Sequence, residues 1–173
     1  TVLNTDGSPL ANREVTVEQV RHKFLFGTAA FDLVPFTNGD YKGKEQELAE
    51  RRADKLLTLF NAATLPFYWA RFEPQRGKPM TREVQNASRW CNDRHLVTKG
   101  HPLCWHTLTA DWLLEMSNAE ILQAQITRIQ RDVADFRGLI AMWDVINEAV
   151  IMPIFDKYDN GITGLCKEMG RIN

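Results

Sequence analysis

What this chain has little of narrows it first. It carries three cysteines in 173 residues, Cys91, Cys104 and Cys166. An odd number at wide spacing argues against a disulfide framework and against a Cys-rich zinc site, and three buried thiols is the plainer reading. No run approaches the roughly 18 consecutive apolar residues of a membrane span, so no membrane partner is expected. Neither sign of charge dominates: 21 Lys and Arg stand against 22 Asp and Glu, for a formal charge of -1. With no dense basic run, that balance gives no field for steering a polyanion, and nucleic acid is not expected as a partner. The opening TVLNTDGSPL has no initiator Met and no basic-then-apolar leader, which suggests processing or excerpting. A Gly-rich phosphate loop is missing as well, because GTAAFD at Gly27 fits neither the dinucleotide nor the phosphate-loop pattern.

What is present is an ordinary globular composition, 44% hydrophobic and 25% charged, enough for one sizeable core. Residues 1 to 19 read as a small β-hairpin appendage, with Asp6-Gly7 turn chemistry before the alternating Val15-Thr16-Val17. Residues 20 to 173 read as one further unit. In it four apolar strand-like runs recur: KFLFGTAAF from Lys23, LTLFNAAT from Leu57, LVTKGHPLCWH from Leu96 and LIAMWDVIN from Leu139. One helical segment separates each pair. The first helix covers 44 to 57 with Leu48, Leu56 and Leu57 on its apolar side. The second is capped by Thr81 and carries Val84, Ala87 and Trp90. The third begins at a Ser117/Glu120 capping box, repeats Leu122, Ile126, Ile129, Val133 and Phe136, and ends at Gly138.

Strands alternating with helices imply a parallel sheet with right-handed crossovers, and near-continuous apolar strands imply burial on both faces. A doubly wound sheet and a (β/α)8 TIM barrel both satisfy this. His101, Trp105, His106, Asn147 and Glu148 all fall at or near the C-terminal ends of strand-like runs, where barrels place their chemistry, so the α/β barrel is the expected fold. The strand spacing allows this chain about the first four βα units.

The chemistry is concentrated in two stretches. In AMWDVINEAV, strand alternation puts Trp143, Val145 and Asn147 on one face and Asp144, Ile146 and Glu148 on the other, so Asn147 and Glu148 meet one ligand only if the strand bulges or ends there. A Glu148 carboxylate flanked by Ile146, Ala149, Val150 and Ile151 would be desolvated and its pKa raised, as a general acid near neutrality requires. A buried Glu paired with an Arg is the structural alternative. GHPLCWHTLTADWL brings His101 and His106 together with Trp105 and Trp112; indole faces stack on sugar rings and imidazoles bond hydroxyls, although a lone strand histidine is more often a satisfied core residue. Metal binding by His101, His106, Asp144 and Glu148 is disfavoured, since the five-residue step between the histidines puts them on opposite faces. In PFYWARFEPQRGKPMT, Glu73 is open to the His101/His106 strand end or to Arg71, and a packed loop with a charged rim is the bland reading.

Taken together, these residues resemble glycoside hydrolase family 10, the β-1,4-xylanases. WDVINEA resembles that family's acid/base signature on the fourth barrel strand, GHPLCWHTLTADWL its third-strand signature, FEPQRGK the segment after the second strand, and RHKFLFGTAAF the first. The resemblance implies retaining hydrolysis of β-1,4-glycosidic bonds in xylan or a related plant polysaccharide, with no cofactor and no metal. It implies Glu148 as general acid/base, Asn147 on the sugar 2-hydroxyl, His101 on the sugar's hydroxyls with Trp105 as its wall and His106 beside it, and Asp144 and Trp143 as structural. The nucleophile of such an enzyme comes from the seventh strand, and it is expected beyond residue 173. Where the family has a Glu-Asn-Glu stretch and a Lys, this chain has ATLPFYWAR, so Trp69, with Tyr68 or Arg71, replaces those groups, and Glu73 is a further candidate substrate contact. Leu108 stands where the family has Gln. The alternative to an enzyme is a catalytically incomplete half-barrel that binds carbohydrate, with self-association or association with the missing half. The family implies secretion, whereas the sequence leaves the compartment open.

Overall fold

The computed structural model describes residues 2–20 and 22–148. Cys166, the residues after Glu148 expected to cover it, and the C-terminal GLCKEMGRIN lie outside them. Four parallel strands form one sheet in the order β1-β2-β3-β4: β1 Gly27–Ala29, β2 Ala62–Pro66, β3 Val97–His101 and β4 Met142–Trp143. Consecutive neighbours without a reversal of order are what a barrel requires; a doubly wound sheet would reverse at a switch point. The register runs Thr64 to Lys99 and Pro66 to His101, then Gly100 to Trp143.

The crossovers hold more than one helical piece each. Between β1 and β2 lie α1 (Leu33–Thr37) and α2 (Lys44–Leu59); between β2 and β3 lie α3 (Trp69–Phe72) and α4 (Thr81–Asp93); a 3-10 turn at Asp111–Glu115 and then α5 (Asn118–Asp135) precede β4. The run from Leu57 therefore begins as helix, and its strand starts only at Ala62. Phe24, Leu25 and Phe26 precede β1 and are exposed rather than paired in it. Near the N-terminus the Asp6-Gly7 turn yields one antiparallel bridge, Leu3 to Pro9, while Val15 to Val17 carries no strand.

One face of the sheet packs on helices. Ala63 and Leu65 of β2 join Phe67, Phe72, Val84, Ala87, Cys91 and Phe136 in the main core, with Trp143 against it. Burying side chains of this size contributes about 1.5–3 kcal/mol each. Burial also pushes the Cys91 thiol up to about 12, so it is a core group with no thiolate at neutral pH. The other face, with Thr64, Pro66, Lys99 and His101, is half-buried, not covered as the apolar strands implied. Gly100 has a specific reason: a Cβ there would lie 2.4 Å from the Trp143 ring, so only glycine lets that indole cross the strand.

Two helical faces differ from the sequence expectation. On α2 the buried stripe is Ala49 and Ala53, with Leu56 packed beside it, because alanine lets the helix approach closely; Leu48 and Leu57 are exposed. On α5 the capping box forms at Ser117, yet the buried stripe is Ile121, Gln125, Arg128 and Asp132, rotated from Leu122, Ile126 and Val133, which are exposed, and from the half-buried Ile129; of the expected repeat only Phe136 is buried. Polar side chains take the inner face there because each finds partners. On α4 the cap is Met80, and Thr81 is the first helical residue. Among the described residues no helix is long and apolar enough to cross a membrane.

Candidate functional site

The C-terminal ends of β3 and β4 converge on one patch. β4 stops at Trp143, and the chain then follows the β3 end instead of continuing the strand: Leu103 N donates to Asp144 O at 2.9 Å, Cys104 pairs with Ile146, and Asn147 N donates to Cys104 O at 2.9 Å. The ending of the strand releases the alternation, and Glu148 adopts a left-handed φ of 56°, a sparsely populated region for a side chain of its size. Its carboxylate accepts a 2.8 Å hydrogen bond from Trp105 Nε1. Asn147, half-buried, precedes it.

Around that pair stand His106 and Tyr68, with His101 beyond Tyr68. His106 is buried, its ring 5.9 Å from Trp105 and near perpendicular. Burial lowers its pKa below the ordinary 6.5, and the Glu148 charge opposes the shift, so a neutral imidazole lies within the field of the carboxylate. Tyr68 stacks edge-on to His101 at 5.4 Å and sits 5.6 Å from Trp105. Burial chiefly raises its phenol pKa, with Glu148 adding to the rise and Arg71 opposing it, so the hydroxyl stays protonated. Histidine, indole and phenol thus border a carboxylate that is itself exposed. The apolar cover expected around Glu148 is not provided by the described residues, since Ile146 is also exposed.

His101 is oriented by a third group. Its Nδ1 lies 2.7 Å from Asp144 Oδ2, and Lys99 Nζ lies 2.8 Å from the same oxygen. Burial alone would push Asp144 up, but the bonds from Lys99 and His101 hold it below the usual carboxylate range, so Asp144 is an anion. Sequence reasoning did not single out Lys99. The signal was its position two residues before His101, on the same face of β3.

Trp69 and Glu73 are not brought to this patch. Trp69 is buried in a second cluster with Ala110, Leu113 and Ile121, and its ring meets Trp112 edge-on at 5.5 Å. Glu73, also buried, accepts from Trp69 Nε1 at 3.2 Å, Gly77 N at 2.8 Å and Arg131 Nη2 at 2.9 Å. Its cation is Arg131 on α5, neither of the groups considered from sequence. Tyr68, one residue earlier, takes the place beside His101. Among the described residues no three His, Cys, Asp or Glu are grouped to hold a metal.

Comparison with known proteins bears on this arrangement. The family model described as glycosyl hydrolase family 10 matches residues 18–158. Endo-1,4-beta-xylanase B of Thermotoga neapolitana is 30% identical over 84 residues, covering 47% of this chain and 24% of that protein. Endo-1,4-beta-xylanase A of Thermotoga maritima is 34% identical over 68 residues, covering 36% of this chain and 6% of that protein. Of the solved structures, the family 10 enzyme from Paenibacillus barcinonensis aligns with a TM-score of 0.59 at 21% identity, over 73% of this chain and 36% of its own. Xylanase 10B from Thermotoga petrophila, in complex with xylobiose, aligns at 0.54 and 18% identity, over 75% of this chain and 44% of its own. The matched part of this chain thus spans under half the length of each. At these identities the structural likeness shows the fold, and the parallel four-stranded sheet is part of a (β/α)8 barrel. Since the family model spans most of the chain and the fold agrees, this chain belongs to glycosyl hydrolase family 10.

Proposed function

We propose that this chain contributes the acid/base side of a retaining hydrolase of β-1,4-glycosidic bonds in xylan or a related plant polysaccharide. Glu148 protonates the leaving-group oxygen and then activates water. A nucleophilic carboxylate outside the described residues attacks the anomeric carbon from about 5–5.5 Å across the scissile bond. The observation that carries the reading is the Glu148 carboxylate, open to solvent, hydrogen-bonded by Trp105 Nε1 and within the field of His106 and Tyr68, with His101 edge-on to Tyr68.

In this reading Asn147 holds the 2-hydroxyl, His101 donates or accepts at the neighbouring hydroxyls with its tautomer set by Asp144, and the Trp105 and Tyr68 rings wall the sugar. The reaction needs no cofactor or metal. Residues 1–19 are an appendage to a catalytic portion formed by 20–173. The xylobiose bound to the Thermotoga petrophila relative supports a short β-1,4-xylo-oligosaccharide as the ligand class.

The test compares xylan with an aryl xyloside whose leaving group needs no proton. Glu148→Ala should slow xylan cleavage far more than glycosyl transfer from the aryl substrate, and added azide should rescue only the latter. Equal slowing of both substrates, or of neither, sinks the acid role. Xylo-oligosaccharide binding without any turnover by the wild type would instead make the protein a carbohydrate-binding half-barrel.

A further inference from the structure

The inner face of α5 presents a problem that the proposed chemistry does not absorb. Arg128 and Asp132 are 3% and 0% exposed, and Glu73, paired with the neighbouring Arg131, is 3% exposed. Burying such charges is costly, and apolar residues of the same volume often serve stability as well or better. Burial lowers the Arg128 pKa to about 10, which leaves it a cation at neutral pH.

The explanation lies in what the guanidinium touches. Arg128 Nη1 donates to Leu103 O at 2.7 Å, and Nη2 donates to Phe67 O and, at 3.4 Å, to Pro102 O. Gln125 Nε2 donates to the same Leu103 O at 3.0 Å. Phe67 directly precedes Tyr68, and Pro102 and Leu103 lie between His101 and Trp105. These carbonyls sit just past the last residues of β2 and β3, where the ladder no longer supplies partners, so a planar fork from the helix satisfies both chain ends at once.

The remaining charges hold the fork in place. Asp132 Oδ2 lies 3.2 Å from Arg128 Nε, Arg131 bridges Asp132 and Glu73 at 2.9 Å each, and the Trp69 ring lies 4.8 Å under the guanidinium.

We propose that Arg128 is a positioning residue of the candidate site, clamping the β2 end that carries Tyr68 to the β3 end that carries His101 and Trp105 and so setting the spacing of the sugar-binding walls. Trp69 and Glu73 act on the sugar only through this clamp. Lysine cannot reproduce it, because an ammonium lacks the planar fork that reaches two strands. The inference rests on the carbohydrate reading for what the walls bind, and on geometry alone for what holds them.

The experiment uses the intact protein with 15N-labelled tryptophan, comparing wild type with Arg128→Met, Arg128→Lys and Gln125→Met. It reads the dissociation constant for xylotriose and the Trp105 indole N–H resonance, which reports the bond to Glu148. Arg128→Met should weaken binding at least tenfold and move the Trp105 resonance while that of Trp90, packed on Phe36 across the core, stays in place. Arg128→Lys and Gln125→Met should shift both readouts in the same direction by less. A folded Arg128→Met protein with wild-type affinity and an unmoved Trp105 resonance overturns the proposal. If Arg128→Met does not fold, unchanged values in both milder variants overturn it equally. Wild type that fails to bind xylotriose refutes the sugar reading instead, and the resonance still decides the clamp.

Discussion

Two indole–carboxylate pairs in this chain use the same chemistry to opposite ends. Trp69 donates to Glu73 at 3.2 Å and Trp105 donates to Glu148 at 2.8 Å. Glu73 is buried, with Arg131 and the Gly77 amide completing its oxygens. Glu148 is exposed, with a neutral His106 and a protonated Tyr68 in its field. A saturated carboxylate can only hold structure, whereas one with open lone pairs can take a proton or a water. Their surroundings, not the residue types, separate the two roles.

The comparison can be broken most directly by neutralising each acid. Glu148→Gln should lower xylan turnover by about 10²–10⁴, the usual range for a general acid/base, with stability within about 0.5 kcal/mol of wild type. Glu73→Gln should cost about 1–3 kcal/mol in chemical denaturation, because it leaves the buried donors around it short of a charged acceptor. Midpoints that shift for Glu148→Gln and not for Glu73→Gln would reverse the assignment.

The indoles offer a finer contrast. Trp69→Phe removes a donor from a carboxylate that water does not reach, and should cost about 1–3 kcal/mol beyond the effect of ring size. Trp105→Phe leaves Glu148 to solvent and should stay within about 0.5 kcal/mol. Equal losses in thermal melts would mean that the second pair is as structural as the first.

Acid titration extends the contrast. Burial would raise the Glu73 pKa, but Arg131, Gly77 and Trp69 together hold it below the 4.5 of an unperturbed glutamate. A depressed folded value means stability that is present above 4.5 and lost as pH falls through the folded value, since the unfolded chain then binds the extra proton. Asp144 contributes in the same direction below 3.8, and His106 begins to do so below 6.5. Glu73→Gln should flatten the acid limb of the stability curve below pH 4.5. A limb that is unchanged in Glu73→Gln would place the loss elsewhere. The smallest effect is expected far from both pairs: Ser117→Ala removes the α5 capping box and should cost about 1 kcal/mol by denaturant unfolding.

Much of the fold was legible because it follows from local pattern. The alternation of strands and helices, the box at Ser117 and the accumulation of polar residues at strand ends led to a parallel sheet with a polar and aromatic cluster at the ends of β3 and β4. Faces were less legible. On α5 the apolar repeat runs through Leu122, Ile126, Ile129, Val133 and Phe136, and of these only Phe136 is buried; Gln125 and Arg128 turn inward because the Leu103 and Phe67 carbonyls, far away in sequence, need donors, and Asp132 follows as the partner of Arg128 and Arg131. Trp69 and Tyr68 are indistinguishable as sugar walls in the sequence for a similar reason: adjacent residues point apart, and nothing local says which one faces His101.

The sequence by itself determined the family, the order of the units and the position of Glu148 past the end of its strand, since these rest on motifs and periodicities a few residues long. Tertiary structure alone decided which carboxylate is spent on Arg131 and which stays open, that Lys99 and Asp144 fix His101, and that Arg128 joins two strand ends. Each of those depends on partners about 25 to 60 residues apart in the chain, and only the packed sheet and helix bring them within hydrogen-bond distance.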